Sequence, residues 1–228
     1  MGLHEPSDKI YLKVSLGKIR KKVTEGTPKA KSRELEDKTT IWELIYNSID
    51  GVLVGLSMHE HPEYGKSWTV EIDDEDADGK PVHYAIQMQE NGRYGMDLLR
   101  KIPNLHKGEV YSFIPYDFEP VAGDRKSGLS IKTASGEKIQ SFYQKFEGEG
   151  DHVTVTNING YPDFTGDKKD KDDWKVYFTQ VTKILRVKAL KYISEDFAKG
   201  YNAPVAAAST ESELEADFKK NEPSDLPF

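Results

Sequence analysis

Apolar and polar residues alternate from the start of the ordered-looking sequence. Ile10, Leu12, Val14 and Leu16 fall on one side of an extended segment, so Ile10–Ile19 is predicted as one strand. Arg20–Lys38 lacks that rhythm, contains Gly26-Thr27-Pro28, and reads as a mobile basic loop or arm. From Thr39 onward, period-two patterns follow one another. Val52, Val54, Leu56 and Met58 form one set; Trp68, Val70 and Ile72 a second; Val82, Tyr84, Ile86 and Met88 a third. The acidic stretch Asp73–Lys80, with Asp78-Gly79 as its turn signal, joins the last two sets into a hairpin. Trp68 and Tyr84 keep phase with aliphatic neighbours and are expected in the core.

Tyr94–Leu105 changes period: Met96, Leu98, Leu99 and Ile102 recur at helical spacing until Pro103 interrupts, which predicts a short helix against the end of a sheet. Strands resume at Val110–Phe118, Ser127–Thr133 and Lys138–Phe146, with a turn at Ser135-Gly136, and His152–Asn157 adds another. Asp172-Asp173 then caps a long predicted helix, Trp174–Lys199, with Trp174, Phe178, Val181, Leu185 and Tyr192 on one stripe and Gly200 as its stop. A small-residue linker from Ala203 to Asp217 leads into an acidic tail. The expected fold is mostly β: a small OB-fold-like barrel with one short inserted helix, a C-terminal α-helix and a disordered acidic tail. The expected division is 1–38 as N-terminal strand and basic arm, 39–160 as the barrel, 161–200 as the helix, and 201–228 as the tail.

Charge sharpens this picture. The 228 residues carry a net charge of −7, which argues against a polyanion ligand until the charge is placed along the chain. Residues 9–33 hold nine Lys or Arg against the single acid Glu25, whereas residues 211–228 hold six acids against two lysines. A basic segment toward a ligand and acidic parts elsewhere is the arrangement this suggests. The absence of cysteine excludes disulfides, thiolate metal sites and cysteine nucleophiles. No spanning-length apolar run and no signal-peptide core occur, so an intracellular (cytoplasmic) protein without membrane contact is expected.

Candidate chemistry follows from residue types. Twelve Tyr, nine Phe and three Trp exceed what a small core needs. Unpaired bases are held by aromatic faces that stack on them and cations that follow their phosphates. If Val110 and Ile114 point inward, Tyr111 and Phe113 are available to bases; Trp42 and Tyr46 share a face, and Tyr94 lies beside Arg93. Arg20, Lys21, Lys22, Lys29, Lys31 and Arg33 form the main electrostatic candidate, with Arg125, Lys126 and Lys132 as further phosphate holders. Asp74–Gly79 opens like a calcium loop, but Ala85 replaces the closing glutamate and strands flank it, so an acidic turn is the better reading. His59-Glu60-His61 has the wrong spacing for a helical zinc pair. No phosphate-binding loop, nucleophile elbow or dinucleotide fingerprint is present; no enzyme activity, metal or cofactor is expected.

The last residues, Asp225, Leu226, Pro227 and Phe228, place a large ring and a carboxylate together at the end of a tether, which suits capture by a foreign pocket. This ending resembles the C-terminal tip of bacterial and phage single-stranded DNA-binding proteins, which finish in acidic residues followed by Ile-Pro-Phe or Leu-Pro-Phe. The chain has one aspartate beside the tip, and Lys219 and Lys220 lie nearby. Residues 39–160 are also similar to phage-type domains of that family in their order: Asp50-Gly51-Val52-Leu53-Val54, the Tyr64-Gly65-Lys66 turn, an acidic hairpin, a small helix, then Val110 through Gly128-Leu129-Ser130-Ile131. The resemblance implies a protein that coats single-stranded DNA and recruits replication, recombination and repair proteins through its tip, in a host-cell cytoplasm if phage-encoded. It also implies a tail that competes with DNA. Homo-oligomerisation is left open by the sequence. The alternative is a protein–protein adaptor of the replication machinery that binds no nucleic acid.

Overall fold

Where one strand is expected near the N-terminus, there are two. Leu16 and Gly17 both adopt left-handed backbone (φ 51° and 67°), as a two-residue hairpin turn requires. β1 (Ile10–Ser15) therefore folds back antiparallel onto β2 (Lys18–Val23). The computed structural model describes residues 9–35, 37–76, 78–119, 125–148 and 153–199. The basic stretch read as a mobile arm is also sheet. β2 pairs with β4 (Thr40–Tyr46), and β4 pairs on its other side with the short β3 (Lys31–Glu34). Apolar alternation is weak there because ion pairing takes its place: Arg20 and Arg33 both bind Glu43 on the middle strand.

β5 (Ile49–His61), β6 (Gly65–Glu75) and β7 (Pro81–Gln89) form an antiparallel meander, with the expected acidic hairpin between the last two. β8 (Val110–Phe118) pairs with β5, and β9 (Lys126–Thr133) with β8. The nine strands lie in the order β3-β4-β2-β1-β7-β6-β5-β8-β9, with β1 parallel to β7. This order forces curvature. Only Asn47 and Ser48 join β4 to β5, a bridge of three Cα steps or about 11 Å. In a flat sheet the four intervening strands would hold those ends about 24 Å apart. The sheet therefore curls into a half-barrel, and Gly17 at the β1–β2 turn packs on the backbone of Tyr116 and Asp117. β3 and β4 pair across the expected boundary at residue 38.

The concave face is the core. Trp68, Val70, Ile72, Ile86 and Met88 are buried there in the expected phase. β5 departs from expectation: its register shifts between Leu53 and Gly55, so Val54 is an extra residue and the strand changes face. Leu53, Leu56 and Met58 point inward as a result, while Val52 pairs with Asp73 on the other side. The helix α1 (Arg93–Leu99) and a 3-10 turn (Ile102–Asn104) add buried Leu98, Leu99, Ile102 and Leu105.

Of the predicted strand Lys138–Phe146 only the end is strand: β10 (Gln144–Glu147) pairs with β11 (Thr154–Asn157) as a separate ribbon. The long helix α2 (Lys171–Glu195) begins three residues before its expected start, capped by Asp170, whose side chain accepts from the Asp172 amide. Val181, Leu185 and Ala189 carry its buried stripe. Trp174 instead stacks on Phe164 at 3.9 Å between ring centres, and Phe178 is largely exposed. Among the described residues no helix is long and apolar enough to cross a membrane. Gly200, the linker and the tip residues Asp225–Phe228 lie outside the described residues.

Candidate nucleic-acid interface

Residues directly opposed in an antiparallel pair share a face, and the register of β2, β4 and β3 therefore sorts the basic candidates. Arg20, Lys22, Glu43, Lys31 and Arg33 lie on the outer face. Lys13 joins them from β1 opposite Arg20, with Tyr11, 60% exposed, two residues along. Lys21, Trp42 and Tyr46 lie on the inner face, in line with the buried Ile19. Five cations thus share this outer face with one carboxylate. Glu43 is buried for a charged group; Arg20 donates to it at 2.8 Å, and Arg33 reaches both its oxygens at 3.3 Å. Burial pushes the Glu43 pKa up, but the hydrogen bonds from Arg33 and Arg20 outweigh it and hold the carboxyl below its ordinary value. Lys22 and Lys31 remain exposed beside this locked trio.

On the inner side, the curl leaves an open cleft of about 280 Å³ beside the β4–β5 link. Ile49 gives it apolar surface over the buried Leu12 and Ile19, Tyr46 and Tyr84 give it rings, and Lys21, Asp50 and Asp74 give it charge. Tyr46 is 43% exposed. Tyr84, expected in the core, is only half-buried; burial raises its pKa, aided by the negative charge of Asp74, so the phenol stays protonated at neutral pH. Trp42 lies further along the same strand face and is half-buried.

Tyr111 and Phe113 correct the expectation made for them. Both are 1% exposed, in the core, while Val110 faces solvent. The Tyr111 hydroxyl donates to Glu109 and accepts from the His106 amide. The signal was Ser112: a polar residue in the Val110–Ile114 set marks that set as the outer one. The rings left outside on β8 are Tyr116 and Phe118, the latter 52% exposed and opposite Lys126.

The remaining candidates gather around β8 and β9, at the other end of the strand order. Arg125 makes a two-pronged pair with Asp117 at 2.6 and 2.7 Å, so its charge is matched. Arg93 donates to the Arg125 carbonyl and the Ser127 hydroxyl, both at 3.1 Å. Tyr94 is half-buried, its hydroxyl accepting from the Gly17 amide at 2.7 Å, so its role is to hold the β1–β2 turn. Lys126 is exposed and Lys132 half-buried on the outward side of β9. In the acidic hairpin, Asp76 accepts from the amides of Asp78 and Lys80 at 2.9 Å, so its carboxylate closes the turn. Among the described residues no group of three or more His, Asp or Glu is placed to hold a metal ion.

Of the residues that line the cleft, the sequence singled out Lys21 and Tyr46 but placed Tyr84 in the core and Asp74 in a turn; only the curl of the sheet brings these and Asp50 together. Comparison with known proteins finds no matching family model, no similar curated protein and no similar solved structure.

Proposed function

We propose that this protein is a single-stranded DNA-binding protein. It coats and protects unpaired DNA, largely without sequence preference, during replication, recombination and repair, and recruits partner proteins through Asp225, Leu226, Pro227 and Phe228. The observation that carries the reading is the two-sided strand layer β2–β4–β3, with exposed Lys22 and Lys31 on one side and the rings of Tyr46 and Trp42 with Lys21 on the other. An unpaired strand needs both cations and ring faces, and beyond Glu43 no described strand pairs with β4 on the β3 side, so the two faces meet at that edge. The five strands β7-β6-β5-β8-β9, with α1 before β8, support an OB-fold barrel, a scaffold suited to oligonucleotides. In that reading β1 takes the place beside β7, and β2, β4 and β3 extend the binding surface.

The test is quenching of tryptophan emission by a short oligonucleotide at two salt concentrations, with Tyr46→Ala beside the parent. Loss of one stacking ring costs about 1–3 kcal/mol, or roughly 5- to 150-fold in affinity. Thermal unfolding should barely move, because Tyr46 is already exposed. Absence of binding by the parent in dilute buffer refutes the proposal and leaves the adaptor reading.

A further inference from the structure

The cleft beside the β4–β5 link does not match the chemistry of a phosphate site. Asp50 and Asp74 set two carboxylates against the single ammonium of Lys21, and an anionic backbone gains nothing by entering. A flat uncharged ring does. Ile49 presents apolar surface over the buried Leu12 and Ile19, and Tyr46 and Tyr84 present aromatic surface. At about 280 Å³ the space lies just under the roughly 300–1,000 Å³ of sites that take drug-sized ligands. That is a volume for one base, with its phosphates left outside the cleft.

We infer that this cleft takes a single unpaired base and favours those bearing amino groups over thymine, with Asp50 and Asp74 as the selecting residues. The inference rests on the single-stranded DNA reading above and adds one discriminating position to otherwise sequence-tolerant binding. An ionised carboxylate only accepts hydrogen bonds. Cytosine offers its N4 amino group and adenine its N6 amino group, whereas thymine sets its O4 acceptor in the corresponding place and has only its N3–H to donate. Both carboxylates are exposed in the free protein and keep much of their hydration. The discrimination therefore falls at the low end for a base-edge contact, about fivefold.

The experiment uses the full chain and two end-labelled 12-nucleotide probes, dC12 and dT12, in mildly alkaline buffer that keeps cytosine unprotonated. Anisotropy titrations are run on the parent, Asp50→Asn and Asp74→Asn. The parent should bind dC12 about fivefold more tightly. Each asparagine variant should bring the ratio toward one, mainly by strengthening dT12, because the amide can donate to O4. Both variants should unfold at the parent temperature, since neither carboxylate is buried. Equal affinities for the two probes in the parent overturn the inference but leave DNA binding intact. So does an equal gain for both probes in the variants, which would mean that the acids merely repel the backbone. Binding of neither probe overturns this inference and the function it rests on together.

Discussion

Gly17 carries more of the architecture than its size suggests. Its φ of +67° disfavours any side chain, and an added Cβ would stand 2.5 Å from the Asp117 nitrogen and 2.9 Å from the Asp117 Cβ. The obstruction is largely backbone, so it cannot swing aside. Gly17→Ala is expected to lose about 2–4 kcal/mol, combining left-handed strain with overpacking where the sheet curls onto β8. Urea unfolding of the two proteins measures this. Leu16 beside it is the opposite case: also left-handed, but exposed. Leu16→Asn should stabilise by about 0.5 kcal/mol, because asparagine tolerates that conformation. Glu43 makes the acid response specific. Its pKa is held below the ordinary carboxylate value of about 4.3. The stabilisation is therefore fully present above that pH and is lost as pH falls through the lowered folded value. Glu43→Gln should be less stable than the parent at neutral pH, and the gap should close progressively below about pH 4. A gap constant from neutral pH to pH 3 would show that the two arginines do not favour the ionised form.

Among the elements, legibility followed how much of the pairing was local. The β6–β7 hairpin, the short helix α1 and the strand β8 were readable because alternation, an Asp-Gly turn and a period change lie within each segment. β1 and β2 merged into one because the turn between them uses a leucine in a glycine-like conformation, which no turn rule would select. β3 was invisible because its support is Glu43 on a neighbouring strand, not an apolar face of its own. The bulge at Val54 kept an apolar pattern while moving half of β5 to the other side. For α2 only the middle of the stripe, Val181 and Leu185, was readable as buried, and its anchor was not: Glu90, 2% exposed, accepts from Arg186 at 2.9 Å and from the Trp68 indole at 3.3 Å. Arg186→Ala would leave that carboxylate buried with only the indole as partner. A loss of about 3 kcal/mol is expected. The double change Glu90→Gln with Arg186→Met should recover a good part of it, because the uncompensated charge is gone. A thermal-unfolding cycle of the four proteins decides; additive losses would mean that the pair does not couple the helix to the curled sheet.

Across the whole molecule, a chain of net charge −7 can bind a polyanion only if its cations act locally. At physiological salt the screening length is about 8 Å, so acids elsewhere on the surface count for little against those lining the path. On the outer face of β1, β2, β4 and β3, Arg20 and Arg33 already share Glu43, which leaves Lys13, Lys22 and Lys31 as the cations whose phosphate contacts would release counterions. Three such contacts predict a slope near −2 for log affinity against log salt, at about −0.7 per phosphate on a single strand. Lys22→Ala with Lys31→Ala should then reduce the magnitude of that slope by about 1.4, weaken dC12 and dT12 alike, and leave their ratio unchanged, because phosphates position a strand and base edges select it. The same titrations at four salt concentrations measure both quantities. If the slope stays at its parent value while binding persists, the strand does not cross these residues. The outer face of β8 and β9, with Phe118 opposite Lys126 and Ser112 opposite Lys132, becomes the path to substitute next.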